Sequence, residues 1–230
     1  MIAALALLLA LQAEPKFESK SIEADGKAIK YEVSLPAGYD GSKAAPTIVF
    51  LHGSGEQGDD GHKQATVGLG AALKLNPTAW APYLIIYPQK PKARGGWMDY
   101  EKLILDILEK TKKEYKVDEK RLYLTGLSMG GHGTWAMACK HPTLFAAVAP
   151  ICGWGPVADA AKIKDLPLWN FHGDKDNAVP IAKSNVMIEA VKAAGGMPLY
   201  TVYPGVGHNS WDKAYRDEKL WEWFLKFEKK

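Results

Sequence analysis

The sequence predicts an α/β fold: a single domain with a mainly parallel central sheet and helices on both faces. Three observations carry that expectation. Short β-rich runs alternate with helix-period segments along the chain. Most of those runs are apolar throughout, as strands buried on both faces are. The 230 residues, 47% hydrophobic and 24% charged, have ordinary globular composition, with no repeat or low-complexity linker to divide them.

Residues 2–11 (IAALALLLAL) form an uncharged apolar run, too short to span a bilayer. The run reads as the core of a secretory signal, with Ala13 as the last residue removed. Residues 1–13 are thus expected to be a signal peptide and 14–230 a single folded domain, exported to the periplasm or the exterior. The alternative is a buried N-terminal helix. Export places Cys139 and Cys152 in an oxidising compartment, and the sequence leaves open whether they pair or fill the core as small apolar residues.

AIKYEVSL at 28–35 alternates polar and apolar residues, the pattern of an early edge strand with one wet face. Buried strands are expected at 47–51 (TIVFL), 83–87 (YLIIY), 121–126 (RLYLTG) and 145–151 (FAAVAPI). LPLWNFHG at 166–173 and LYTVYPG at 199–205 extend the series. Between them, residues 100–115 show one apolar face, formed by Leu103, Ile104, Ile107, Leu108 and Tyr115. Residues 129–140 stop at His141-Pro142, and residues 181–194 end at Gly195-Gly196. A last helix is expected within Trp211 to Phe227.

Charge and cysteine usage exclude several function classes. A formal net charge of +3 marks no polyanion-binding surface, so nucleic acid is not an expected partner. CxxC and HExxH do not occur, and Asp59 and Asp60 in EQGDDGH lack the EF-hand spacing, so no metal is expected. No cofactor and no stable membrane insertion are expected either. Oligomeric state has no signature in the sequence.

In folds of this class ligands sit outside the carboxyl ends of the strands. The sharpest signal lies at such an end: GLSMG at 126–130 fits G-x-S-x-G, after the run RLYLT and before a helical run. A serine on a tight strand-to-helix turn exposes its hydroxyl, and flanking glycines let the backbone pass without a Cβ clash. Such a hydroxyl needs a base and an orienting carboxylate. HGDKDNAVP at 172–180 offers Asp174 and Asp176, and GVGHNSW at 205–211 offers His208. Three strand ends supply serine, acid and histidine in that order. For an oxyanion hole, the N–H of Met129 and that of Ser54 in LHGSGE are the expected donors. His52 and His172 each close a strand. Trp97 in RGGW and Trp154 in CGWG stand on strand-end loops, either as substrate-binding cleft walls or as packing residues.

LHGSGEQGDD, YPQKP…GGW, VDEKRLYLTGLSMGGHGTW, FAAVAPICGWG, WNFHGDKDNAVP and YPGVGHNSWDKAY together resemble the secreted serine α/β-hydrolases, from about Ile29 to Phe224. This group is described as predicted peptidases, phospholipase/carboxylesterase-like and polyhydroxybutyrate-depolymerase-like proteins, with feruloyl and acetylxylan esterases more distant. The resemblance implies an α/β-hydrolase fold, Ser128 as nucleophile and His208 as general base. It favours Asp176 over Asp174, because the family's acid closes an HGxxD pattern shortly before Val-Pro, here Val179-Pro180. It also supports the Ser54 and Met129 N–H groups as oxyanion donors. The expected activity is hydrolysis of a small-molecule or polymer carboxylic ester through an acyl-enzyme. A serine peptidase of the prolyl-oligopeptidase type and a non-catalytic binding protein on the same scaffold are the alternatives.

Overall fold

A computed structural model describes residues 15–229. The predicted signal segment, residues 1–13, lies outside them. Eight strands form one sheet: β1 (Lys16–Ala24), β2 (Lys27–Leu35), β3 (Ala45–Leu51), β4 (Leu84–Pro88), β5 (Val117–Leu127), β6 (Ala147–Ile151), β7 (Trp169–Gly173) and β8 (Leu199–Tyr203). Their order across the sheet is β1-β2-β4-β3-β5-β6-β7-β8. The pairings from β4 to β8 are parallel, and β2 joins β4 antiparallel.

Strand β2 is not the edge strand expected from its alternation. β1 covers it in a nine-pair antiparallel register that closes through Asp25 and Gly26. Both turn residues have positive φ, 49° and 72°, as a two-residue hairpin turn matching the twist of its strands requires. Asp-Gly was the available signal, and KFESKSIEA alternates as β2 does.

Seven α-helices accompany the strands among the described residues: α1 (Leu69–Leu75), α2 (Pro77–Trp80), α3 (Glu101–Glu114), α4 (Met129–Lys140), α5 (Ala182–Ala193), α6 (Trp211–Ala214) and α7 (Glu218–Phe224). The single terminal helix expected within 211–227 is two short ones. Asp217 divides them by accepting the Lys219 N–H, which starts α7 anew.

The central strands bury both faces, and the parity of their residues shows how. Val49, Leu51, Leu122 and Leu124 face one core with Ile104, Ile107 and Met137 of α3 and α4. Ile48, Phe50 and Tyr123 face the other with Leu69 of α1 and Phe224 of α7. Apolar surface removed from water on both sides contributes about 25 cal/mol per Å². It fixes β5 and β6 rigidly in the centre. That rigidity is what holds the loops at their carboxyl ends in place.

Candidate active site

Directly after β5 stands Ser128, whose backbone is at φ 55°, ψ −115°, a conformation L-residues rarely adopt. Holding a non-glycine residue there costs about 1–3 kcal/mol, so its surroundings must enforce it. They do. The Ser128 N–H donates to Ile151 O (3.0 Å), and its carbonyl accepts the His132 N–H (2.9 Å) as α4 begins. The two motif glycines are sterically required. A Cβ on Gly130 would overlap the Leu51 carbonyl, and one on Gly126 would stand 2.6 Å from the same oxygen. The turn is therefore pressed against the end of β3.

The expected partners converge on this turn. His208, from the loop after β8, brings Nε2 to 2.8 Å from Ser128 Oγ. Its Nδ1 lies 2.7 Å from Asp176 Oδ2. Asp176 follows β7, and its side chain is fully buried. Its other oxygen accepts N–H bonds from Ala178 and Val179, both 2.9 Å, which fix the carboxylate plane. Asp174 is exposed and does not reach His208. Instead it accepts the Gly205 N–H (2.7 Å) and ties the loop after β7 to the end of β8.

The loop after β3 carries Ser54, exposed, and passes close to the serine: a Cβ on Gly53 would lie 3.6 Å from Ser128 Cβ. His52 braces it. Fully buried, its Nε2 accepts the Lys90 N–H (3.0 Å), so the ring hydrogen sits on Nδ1 and is donated to Gly53 O (2.5 Å). Burial holds His52 neutral, with its pKa pushed down to about 4. Carbonyl and N–H of a trans peptide point in opposite directions. The bond to Gly53 O therefore turns the Ser54 N–H away from His52. Met129 is the first residue of α4, so its N–H has no partner within the helix and adds to a positive helix end.

Trp97 corrects one expectation. It is completely buried, donates Nε1–H to His52 O (2.9 Å) and packs edge-on against the His52 ring, so it lines no cleft. Of the two roles left open by the sequence, its burial gives packing. Trp154 is half-buried and stacks flat on His132, 4.6 Å between centroids, while its carbonyl stands 2.8 Å from His132 Nδ1.

Trp211, also half-buried, sets its ring edge-on to His208 at 5.2 Å, a site neighbour the sequence reading missed. The H-N-S-W spacing was its only signal. Cys152 was missed too: its thiol, the Asp176 carboxylate and a His208 ring nitrogen lie within 4.8 Å of one another. Asp176 and His208 are already paired with each other, so their bonds need no ion. Asp60, one of the two acids that the sequence offered for a cation, accepts the His62 and Lys63 N–H groups and caps its own turn.

A model of the dienelactone hydrolase family matches residues 92–228, which include Ser128, Asp176 and His208. Feruloyl esterase B of Piromyces equi is 29% identical over 160 residues, 65% of this chain and 30% of that protein. A crystal structure described as a thermostable esterase superposes with a TM-score of 0.81 at 31% identity, covering 92% of this chain and 63% of that one. A ferulic acid esterase structure shares the fold with a TM-score of 0.76 at 19% identity, over 93% of this chain and 98% of that one. This chain spans less than half the length of the first curated relatives it matches. The fold is thus that of the α/β-hydrolases, and with more than half of its length matched, the chain belongs to the dienelactone hydrolase family.

Proposed function

We propose that this protein is a serine hydrolase that cleaves carboxylic esters through an acyl-enzyme. One observation carries the reading: an unbroken line of hydrogen-bonding contacts from Ser128 Oγ through both nitrogens of His208 to a buried carboxylate. In it Ser128 Oγ attacks the acyl carbon while His208 Nε2 takes its proton. Asp176 holds the ring tautomer and stabilises the imidazolium that forms. The Ser54 and Met129 N–H groups receive the developing oxyanion, a contribution of about 10²–10³ in kcat per donor. His208 then returns its proton to the departing alcohol oxygen. Water, deprotonated by His208, attacks the acyl-enzyme and releases the acid and Ser128.

Trp154 and Trp211, half-buried beside the elbow helix and the base, supply apolar walls for the acyl or alcohol part. Residues 1–13 serve as a removed export signal, leaving 14–230 as the catalytic domain. Intact mass of the secreted protein tests that part, and a chain beginning at Met1 defeats it.

The activity is tested with p-nitrophenyl esters from acetate to octanoate, feruloyl esters, acetylated xylan and a peptide panel. A fluorophosphonate probe run in parallel should label wild type at Ser128. Peptide cleavage without ester cleavage, or no labelling, overturns the reading.

A further inference from the structure

A second histidine reaches the same carboxylate. His172, the penultimate residue of β7, is fully buried, and its Nε2 stands 3.2 Å from Asp176 Oδ2, the oxygen that also meets His208. The hydrogen positions on this ring follow from its partners. Nε2 also lies 2.8 Å from Val179 O, which can only accept, so Nε2 carries a hydrogen. Burial pushes the pKa of His172 down, so the ring is neutral and Nδ1 is bare. Nδ1 lies 2.8 Å from the Ser184 hydroxyl on α5, whose one hydrogen is shared between Nδ1 and Gly153 O. Ser184 is itself buried and lies 3.1 Å from Gly153 O, in the loop that follows β6.

Asp176 therefore accepts two backbone N–H bonds on Oδ1 and meets His208 Nδ1 on Oδ2, with the N–H edge of His172 lying 3.2 Å from that same oxygen. The His172 hydrogen is donated to Val179 O while its nitrogen stays 3.2 Å from Asp176 Oδ2, so the ring edge bears on both ends of the short segment that carries the acid. We infer that His172 is a positioning residue for the reaction, a neutral ring whose N–H edge lies against the Asp176 carboxylate and locks its rotation, and so the aim of His208. Nothing in this role requires His172 to touch substrate. The inference rests on the serine-hydrolase reading and deepens it, extending the line of side chains from Ser128 to α5.

Two polar substitutions separate this role from plain core packing. In His172→Asn the amide reaches the Ser184 side of the pocket but falls short of Asp176. In His172→Gln the longer amide restores a donor near the old Nε2 position. The expected result with a p-nitrophenyl ester is a loss in kcat of about 10- to 100-fold for His172→Asn at little-changed KM, as for a misaimed catalytic group. His172→Gln should recover most of it. In an Asp176→Asn background, His172→Asn should cost nothing further, because the group it positions is gone. Equal losses for Asn and Gln, or the same loss in both backgrounds, overturn the inference.

One readout is independent of turnover: the NMR resonance of the proton shared by His208 and Asp176. It should move in His172→Asn and return toward its wild-type place in His172→Gln. A resonance unmoved in both variants overturns the inference. A wild type with no esterase activity and no probe labelling fails the hydrolase reading instead, and the proton resonance still decides whether His172 sets the carboxylate.

Discussion

Two neighbouring strands end in the same unusual way and to opposite effect. β5 ends beside Ser128 with φ 55°, and β6 ends beside Cys152 with φ 42°. Each turns out of its strand by donating its N–H to the next strand over, Ser128 to Ile151 O and Cys152 to Phe171 O (2.8 Å). Each carries a side chain of nucleophilic type. Yet Ser128 is half-buried and faces His208 Nε2, whereas Cys152 is fully buried and its thiol is pushed up to about 12 by desolvation. Backbone strain alone does not make a nucleophile. Access and an aligned proton acceptor do, and only one of the two turns has both.

The largest test of that contrast is the pair Ser128→Ala and Cys152→Ala. The first should lower kcat for a p-nitrophenyl ester by about 10⁴-fold or more. The second should stay within about threefold of wild type, its cost confined to the small cavity left in the core. Turnover measured on both purified proteins checks this, and a Cys152→Ala loss comparable to that of Ser128→Ala breaks the comparison.

Next in size is the carboxylate proposed to orient His208 beside the β5 turn. Asp176→Asn should cost about 10⁴-fold in kcat, through the wrong His208 tautomer. Asp174→Asn should cost less than about tenfold, since its amide oxygen can still accept the Gly205 N–H and only the charge is lost. A larger loss for Asp174→Asn, with both proteins folded, reverses the assignment.

The thiol gives a pH test with a definite sign. Cys139 and Cys152 are both free and buried, and both are pushed up to about 12 from an ordinary thiol value near 9. Above pH 9 the unfolded chain loses these protons and the folded chain keeps them. Stability therefore falls as pH rises from 9 toward 12, by about 1.4 kcal/mol per pH unit for each thiol. The Cys139→Ala, Cys152→Ala double variant should show a shallower alkaline decline in melting temperature. Native protein at pH 8 should also resist a thiol reagent until it is unfolded.

The smallest effect isolates the strain itself. At each turn a glycine should be more stable than an alanine by about 1 kcal/mol, because only glycine adopts positive φ freely. Denaturant midpoints of Ser128→Gly against Ser128→Ala, and of Cys152→Gly against Cys152→Ala, measure it. If the gap occurs at one turn alone, the two strand ends are not equivalent.

What could be read from the sequence was whatever a local constraint imprints on it. Gly126 and Gly130 bracket Ser128 because the backbone of β3 leaves no room for a Cβ, and that need shows as G-x-S-x-G. The strands of the parallel sheet showed as apolar runs because both their faces are covered. β1 escaped notice because half of its residues meet water and its pairing rests on one Asp-Gly turn. Trp97 was ambiguous because a tryptophan on a strand-end loop looks alike in sequence whether it faces a cleft or lies beneath one. His52 and His172 close β3 and β7, yet their bonds reach Lys90 and Ser184, separations no local pattern encodes. Braces of this kind become visible only in three dimensions.

Strand order also sets when the molecule becomes reactive. Ser128 lies midway along the chain, on strands that can pair early, whereas Asp176 follows the seventh strand and His208 the eighth. A chain growing from its N-terminus builds the strained turn first and acquires the proton acceptor last. Until β8 has docked at the far side of β7, the serine is an ordinary alcohol. On the serine-hydrolase reading, nascent and truncated chains should be chemically silent, with reactivity arriving only on completion of the sheet.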